Sequence, residues 1–262
     1  MAKYLGATLQ WQRIWLGMLW VLCLQIGGIF LSRYTSKRVP EENNGRPPTT
    51  PISNDFLLAM AAFACLASLT VLMIASHIYT LEILWLTLVA VIGVLISANG
   101  IRRAELARFQ EIILSFLMAV LIPWFSYLLQ RGEIHRFLPI ISLPILALRV
   151  AMILSYQLST YASDLNAKNP TLMLRVGWQN GMLLHNWLIL FAFVLIAFGN
   201  ILGVPLSIGM PPMAAFFLGL WQIWSMKRIA QGVKPNWRGL IWGGVALYGL
   251  VIYLYAYSFW IN

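Results

Sequence analysis

The chain has 262 residues, 60% hydrophobic and 10% charged, with a formal net charge of +10. So apolar a composition argues against a water-soluble fold and for a polytopic membrane protein, because several runs are long enough to cross a hydrocarbon layer of about 30 Å. The two cysteines, Cys23 and Cys65, lie on apolar stretches with no second thiol near them in sequence, which argues against a disulfide framework or a metal site and assigns both to the core.

In chain order, the apolar runs predict eight spans at roughly 13–33, 56–76, 79–98, 110–130, 138–158, 182–203, 206–225 and 238–260. Each must be a helix, since a segment in lipid has to pair its own backbone groups. The expectation is an all-α transmembrane bundle forming one integral membrane domain over 1–262. The first run is too long for a signal h-region and no small-residue cleavage site follows it, so it reads as a retained span. Pro123, Pro139, Pro144 and Pro205 lie in or at the ends of spans and predict local kinks. Trp237, Trp242, Tyr253, Tyr255, Tyr257 and Trp260 crowd the ends of the last span, as interfacial aromatics do.

The cations sort by loop, which assigns them to topology and not to nucleic acid. Loops after odd-numbered spans carry thirteen of the eighteen: Arg33, Lys37, Arg38, Arg46, Arg102, Arg103, Arg108, Lys168, Arg175, Lys227, Arg228, Lys234 and Arg238. Lys3, Arg13, Arg131 and Arg136 lie on the other side. The positive-inside rule then puts both termini on the non-cytoplasmic side of the membrane.

The eighteenth cation, Arg149, stands inside a span, where a charge costs at least about 2.5 kcal/mol and is rarely left facing lipid. Positions 149, 153, 156 and 160 share one helical face. Helix carbonyls or Glu111 are the alternative, structural partners for the guanidinium. His185 near the end of span six reads as interfacial, with ligation of haem iron or chlorophyll magnesium as the sharper alternative; His77 and His135 lie in outer loops. No inverted repeat or pair of broken helices supports a transporter.

Two stretches carry a family resemblance. Leu24-Gln25-Ile26-Gly27 leads into Ser32, Arg33 and Ser36, and much later Thr160 and Asp164 precede Lys168-Asn169-Pro170-Thr171-Leu172, Arg175 and Gly177. In order and spacing they resemble the two signature motifs of the UbiA prenyltransferase superfamily, in particular its dihydroxynaphthoate prenyltransferases. The resemblance covers nearly the whole chain except the family's first helix, which has no counterpart here.

That resemblance implies a UbiA-like bundle around a lipid-accessible cavity. It makes Gln25, Ser32, Arg33, Ser36, Arg149, Tyr156, Thr160 and Asp164 the candidate ligand-binding residues, with Arg149 about 16 Å deeper than Thr160. The family's chemistry neutralises a departing diphosphate with magnesium held on carboxylates. Of the four acid positions, here Arg33, Ser36, Thr160 and Asp164, only Asp164 is an acid. The expectation is therefore no catalytic residue and no metal. Asp164 would cap the helix starting at Leu172 or bond loop amides, and Lys168 and Arg175 would face lipid phosphates. The implied role is a non-catalytic accessory subunit, or a binder of a quinone, a chlorophyll or bacteriochlorophyll, a carotenoid or a phospholipid. Its place would be a plasma or photosynthetic inner membrane, and its partners the bilayer and other membrane subunits of a respiratory or photosynthetic complex. The alternative is a divergent aromatic prenyltransferase using magnesium on Asp164 with Glu41 and Glu42 from the loop.

Overall fold

The computed structural model of the chain describes residues 10–43, 54–75, 82–99, 110–167 and 171–261. All the regular structure among them is helical. Among the described residues seven helices are long and apolar enough to cross a membrane, so the protein is an all-α, polytopic integral membrane protein. Hydroxyls inside these helices bond the carbonyl one turn back, as Thr70 does to Leu66, Thr87 to Ile83 and Ser97 to Gly93, each at 2.8 Å, which hides their polarity within their own helix.

The chain divides into two compact units, within 8–134 and 135–262. In the first, α1 (Trp11–Asn43) packs against α2 (Asn54–Ala75), α3 (Glu82–Asn99) and α5 (Ile122–Arg131). Its centre is Trp20, fully buried and stacked on Phe125 at 3.9 Å, with Leu24, Leu66, Val94 and Leu121 around it. Short α4 (Gln110–Phe116) joins α5 through a π-helical turn, Leu117–Leu121, in which the Ile122 amide reaches back to the Leu117 carbonyl. The turn opens directly before Pro123, which has no N–H for the Ala119 carbonyl and whose ring crowds it.

In the second unit, α6 (Phe137–Asn166) packs on α8 (Trp178–Ile201) and α11 (Trp237–Ile261) over Leu148, Ala151, Ile189 and Val251. The five-residue α7 (Leu172–Val176) leads into α8, and Gly181 leaves room for the Met173 sulfur against it. The seventh span is broken into α9 (Leu206–Met213) and α10 (Phe216–Ala230). Pro211 and Pro212 deprive the Ser207 and Ile208 carbonyls of amide donors, and the chain tightens through Ala214 and Ala215, whose amides reach the Pro211 and Pro212 carbonyls at 3.0 and 3.1 Å.

Several expected boundaries shift. The first span ends near residue 33 by hydropathy, yet α1 runs to Asn43, so Ser32, Arg33 and Ser36, like Glu41 and Glu42, lie on a helix and not in a connector. Likewise α6 continues two turns past 158 to Asn166. The third expected span is the 18-residue α3, about 27 Å long at the α-helical rise. The irregularity expected at Pro123 takes the form of the π turn, whereas the break at Ala214–Ala215 was not expected. Lys3, Arg46, His77, Arg102, Arg103, Arg108, Lys168, Asn169 and Pro170 lie outside the described residues, as do the side chains of Lys37, Arg38, Glu41 and Glu42.

Candidate functional site

The candidate residues fall in two groups, one in each unit. On α1, Leu24, Gln25, Gly28, Ile29, Ser32 and Arg33 recur at the helical repeat and form one stripe. They line a cavity of about 500 Å³ closed by Val94, Ser97 and Ala98 of α3 and by Leu114, Leu117 and Met118 around the π turn. Three of the eight candidates, Gln25, Ser32 and Arg33, are thus brought onto one wall. The volume lies within the range of small-molecule sites, and the walls are predominantly apolar with few polar groups, as such sites are.

Local geometry explains the cavity. A Cβ on Gly28 would stand 2.9 Å from Val94 Cγ1, so glycine permits the close approach of α1 to α3. Thr35, also buried, donates to the Ala98 carbonyl at 2.9 Å and ties the two helices at one end of the cavity. The Arg33 guanidinium lies 5.7 Å from the Phe30 ring centre and is exposed. Gln110 adds a polar group to the wall. Ser36 is exposed and is not part of it. Sequence reasoning missed Thr35, Ser97, Gln110 and the π turn; the small residues Gly28 and Ala98 were the available signal.

The second group lies on α6. Arg149 donates from Nη1 to the Tyr248 hydroxyl on α11 at 3.4 Å, and its guanidinium carbon stands 5.7 Å from the same ring. Its Nε is buried without a hydrogen-bond partner. Tyr248, passed over by sequence reasoning, is a polar partner of the guanidinium. Tyr156 is 56% exposed. Thr160 donates to Asp164 Oδ2 at 2.7 Å, one turn on along the same helix.

Three expectations are corrected. Asp164 is on α6 and is not the cap of the helix from Leu172: that cap is Thr171, whose extended backbone turns its Oγ1 towards the Leu174 amide at 3.4 Å. The nearby buried Gln157 accepts from the Met173 amide at 3.0 Å and holds α7 against α6. His185, read as interfacial, is 1% exposed and so does not face outward from its unit, with Nδ1 3.1 Å from Asn186 Oδ1. Cys65 is exposed, and its sulfur lies 3.6 Å from that of buried Cys23, a pairing across helices that sequence spacing concealed. Among the last span's aromatics, Trp242, Tyr253, Tyr257 and Trp260 are exposed as interfacial residues should be, whereas Tyr255 is buried.

The donor set does not suit magnesium. At the α1 positions stand a cation, Arg33, and the hydroxyls of Ser32 and Ser36, and at the α6 positions one hydroxyl and one carboxylate, whereas magnesium takes hard oxygen ligands and usually carboxylates. Among the described residues no three of His, Cys, Asp and Glu are grouped so as to hold a metal ion. No protein-family model matches the chain, and no curated protein is significantly similar to it.

Proposed function

We propose that the protein is a non-catalytic, UbiA-like membrane protein that binds an isoprenoid molecule, a quinone or carotenoid, as an accessory subunit of a larger membrane complex. The observation that carries the reading is the 500 Å³ cavity of the first unit. Its apolar walls suit a polyisoprenoid chain. Gln25, Ser32 and Arg33 supply donors for a head-group carbonyl, and the cation stands where the resembling family would hold metal on an acid.

The test is extraction and mass spectrometry of isoprenoids co-purified with the full chain. Leu114→Trp, which fills the cavity from a partly exposed position, is expected to lower the isoprenoid content at equal folded yield. Arg33→Gln is expected to lower it about tenfold if the guanidinium holds a carbonyl. Content unchanged in both variants refutes the reading. Incubation with magnesium, a polyprenyl diphosphate and an aromatic acceptor is expected to give no product; a product lost in Asp164→Ala would establish the divergent prenyltransferase in its place.

A further inference from the structure

The turn joining α10 to α11 encloses a second cavity, of about 220 Å³, in the unit that the isoprenoid reading does not use. Arg228 and Lys234 line it, together with Trp221, Trp224, Ser225 and Asn236. The Arg228 guanidinium carbon lies 4.8 Å from the Trp224 ring centre, which steadies the side chain and leaves its N–H donors open to a ligand. Asn236 accepts from the Gly239 amide at 3.1 Å and so fixes the wall where α11 begins.

Charge decides what this cavity takes. From Leu165 to Asn262 the sequence contains no aspartate or glutamate, but it holds Lys168, Arg175, Lys227, Arg228, Lys234 and Arg238. Asp164 is therefore the single acid of residues 135–262, and it accepts the Thr160 hydroxyl on α6. Among the described residues neither Arg228 nor Lys234 has a carboxylate partner. Two cations on one cavity wall in so acid-free a unit call for an anion from outside. A guanidinium and an ammonium together suit phosphate oxygens. The volume falls below that of sites for drug-sized molecules, enough for a head group and too little for its chains. The cavity sits at the ends of two membrane-crossing helices among tryptophans, which favour the level of lipid head groups.

We propose that the α10–α11 turn is a binding site for the phosphodiester of an anionic membrane lipid, with Arg228 and Lys234 holding its free oxygens and Trp221 and Trp224 packed along the glycerol. The site is independent of the isoprenoid cavity. A soluble phosphate shares the recognised chemistry and is distinguished by experiment.

The experiment is native mass spectrometry of the full chain released from micelles holding equal amounts of phosphatidylglycerol and phosphatidylcholine. Wild type is expected to retain phosphatidylglycerol preferentially. Arg228→Gln and Lys234→Gln should each lower that retention about tenfold. Lys227→Gln, the same charge change beside the cavity but outside its wall, should leave it unchanged, and Arg228→Lys should keep most of it. Equal retention of the two lipids, or an equal loss from Lys227→Gln, overturns the proposal. So does a rise in melting temperature with inorganic phosphate alone that matches the rise with phosphatidylglycerol, since that would mark a free-anion site. Both mutated side chains are exposed, so the variants should fold, and the lipid-free melting temperature checks it.

Discussion

Arg149 and Tyr248 face one another across α6 and α11, with Nη1 donating to the phenolic oxygen at 3.4 Å and the guanidinium within cation–π range of the ring. A cation at this depth needs a partner, and the tyrosine supplies one without bringing a second charge into the membrane. Tyr248→Phe keeps the ring and should destabilise the protein by about 0.5–1 kcal/mol, the low end for a hydrogen bond of this length. Tyr248→Leu should cost about 1 kcal/mol more by removing the ring as well. Arg149→Leu should be close to neutral or stabilising, because it removes the desolvated charge along with its bond. Reversible unfolding in micelles measures all three, and unchanged stability in Tyr248→Leu would show that the pair contributes nothing.

Thiol proximity gives the packing of α1 on α2 its own check. Cys23 and Cys65 are 42 positions apart in sequence yet 3.6 Å apart at sulfur. A membrane-permeant oxidant should join them within one chain, yielding a cross-linked peptide pair that disappears in Cys65→Ser. If oxidation modifies both thiols and no linked peptides form, the two helices do not pack at this level.

Topology turns on α3. With eight crossings, the distribution of Lys and Arg predicts both termini on the non-cytoplasmic side, and reporters fused at the two ends should give the same signal. At about 27 Å, α3 is the shortest of the expected spans and opens with Glu82 in its first turn. Were it to lie in the interface without crossing, the reporters would disagree.

The spans were legible because lipid imposes a single rule, that backbone groups pair within the segment, and long apolar runs register that rule directly. Where the rule loosens, the reading failed. Polar residues continue α1 to Asn43 and α6 to Asn166, and hydropathy cannot see a helix that has left the hydrocarbon. A kink was predicted at Pro123 and none at Pro212, and whether the backbone answers a proline with a π turn, as before Pro123, or with a break, as after Pro212, depends on how neighbouring amides find acceptors. The α1 stripe of Gln25, Ser32 and Arg33 follows from helical periodicity. The partners that give side chains their roles, Ala98 for Thr35 or Tyr248 for Arg149, lie 63 and 99 residues away, beyond any local pattern.

The thirty residues of α6 make it a ruler longer than the membrane is thick. At the α-helical rise it measures about 45 Å, against roughly 30 Å of hydrocarbon. A helix standing near the membrane normal must therefore protrude, and the polar sequence from Ser159 to Asn166 marks the end that does so. Arg149 and Asp164, fifteen positions apart on this rod, consequently fall in its apolar and its polar stretch. The guanidinium lies in the apolar stretch, where the Tyr248 hydroxyl answers one of its donors. The carboxylate lies in the polar stretch, where it accepts the Thr160 hydroxyl one turn back. One helix thus carries a charge that burial makes costly and another that its polar surroundings do not, and the excess of rod over bilayer separates them.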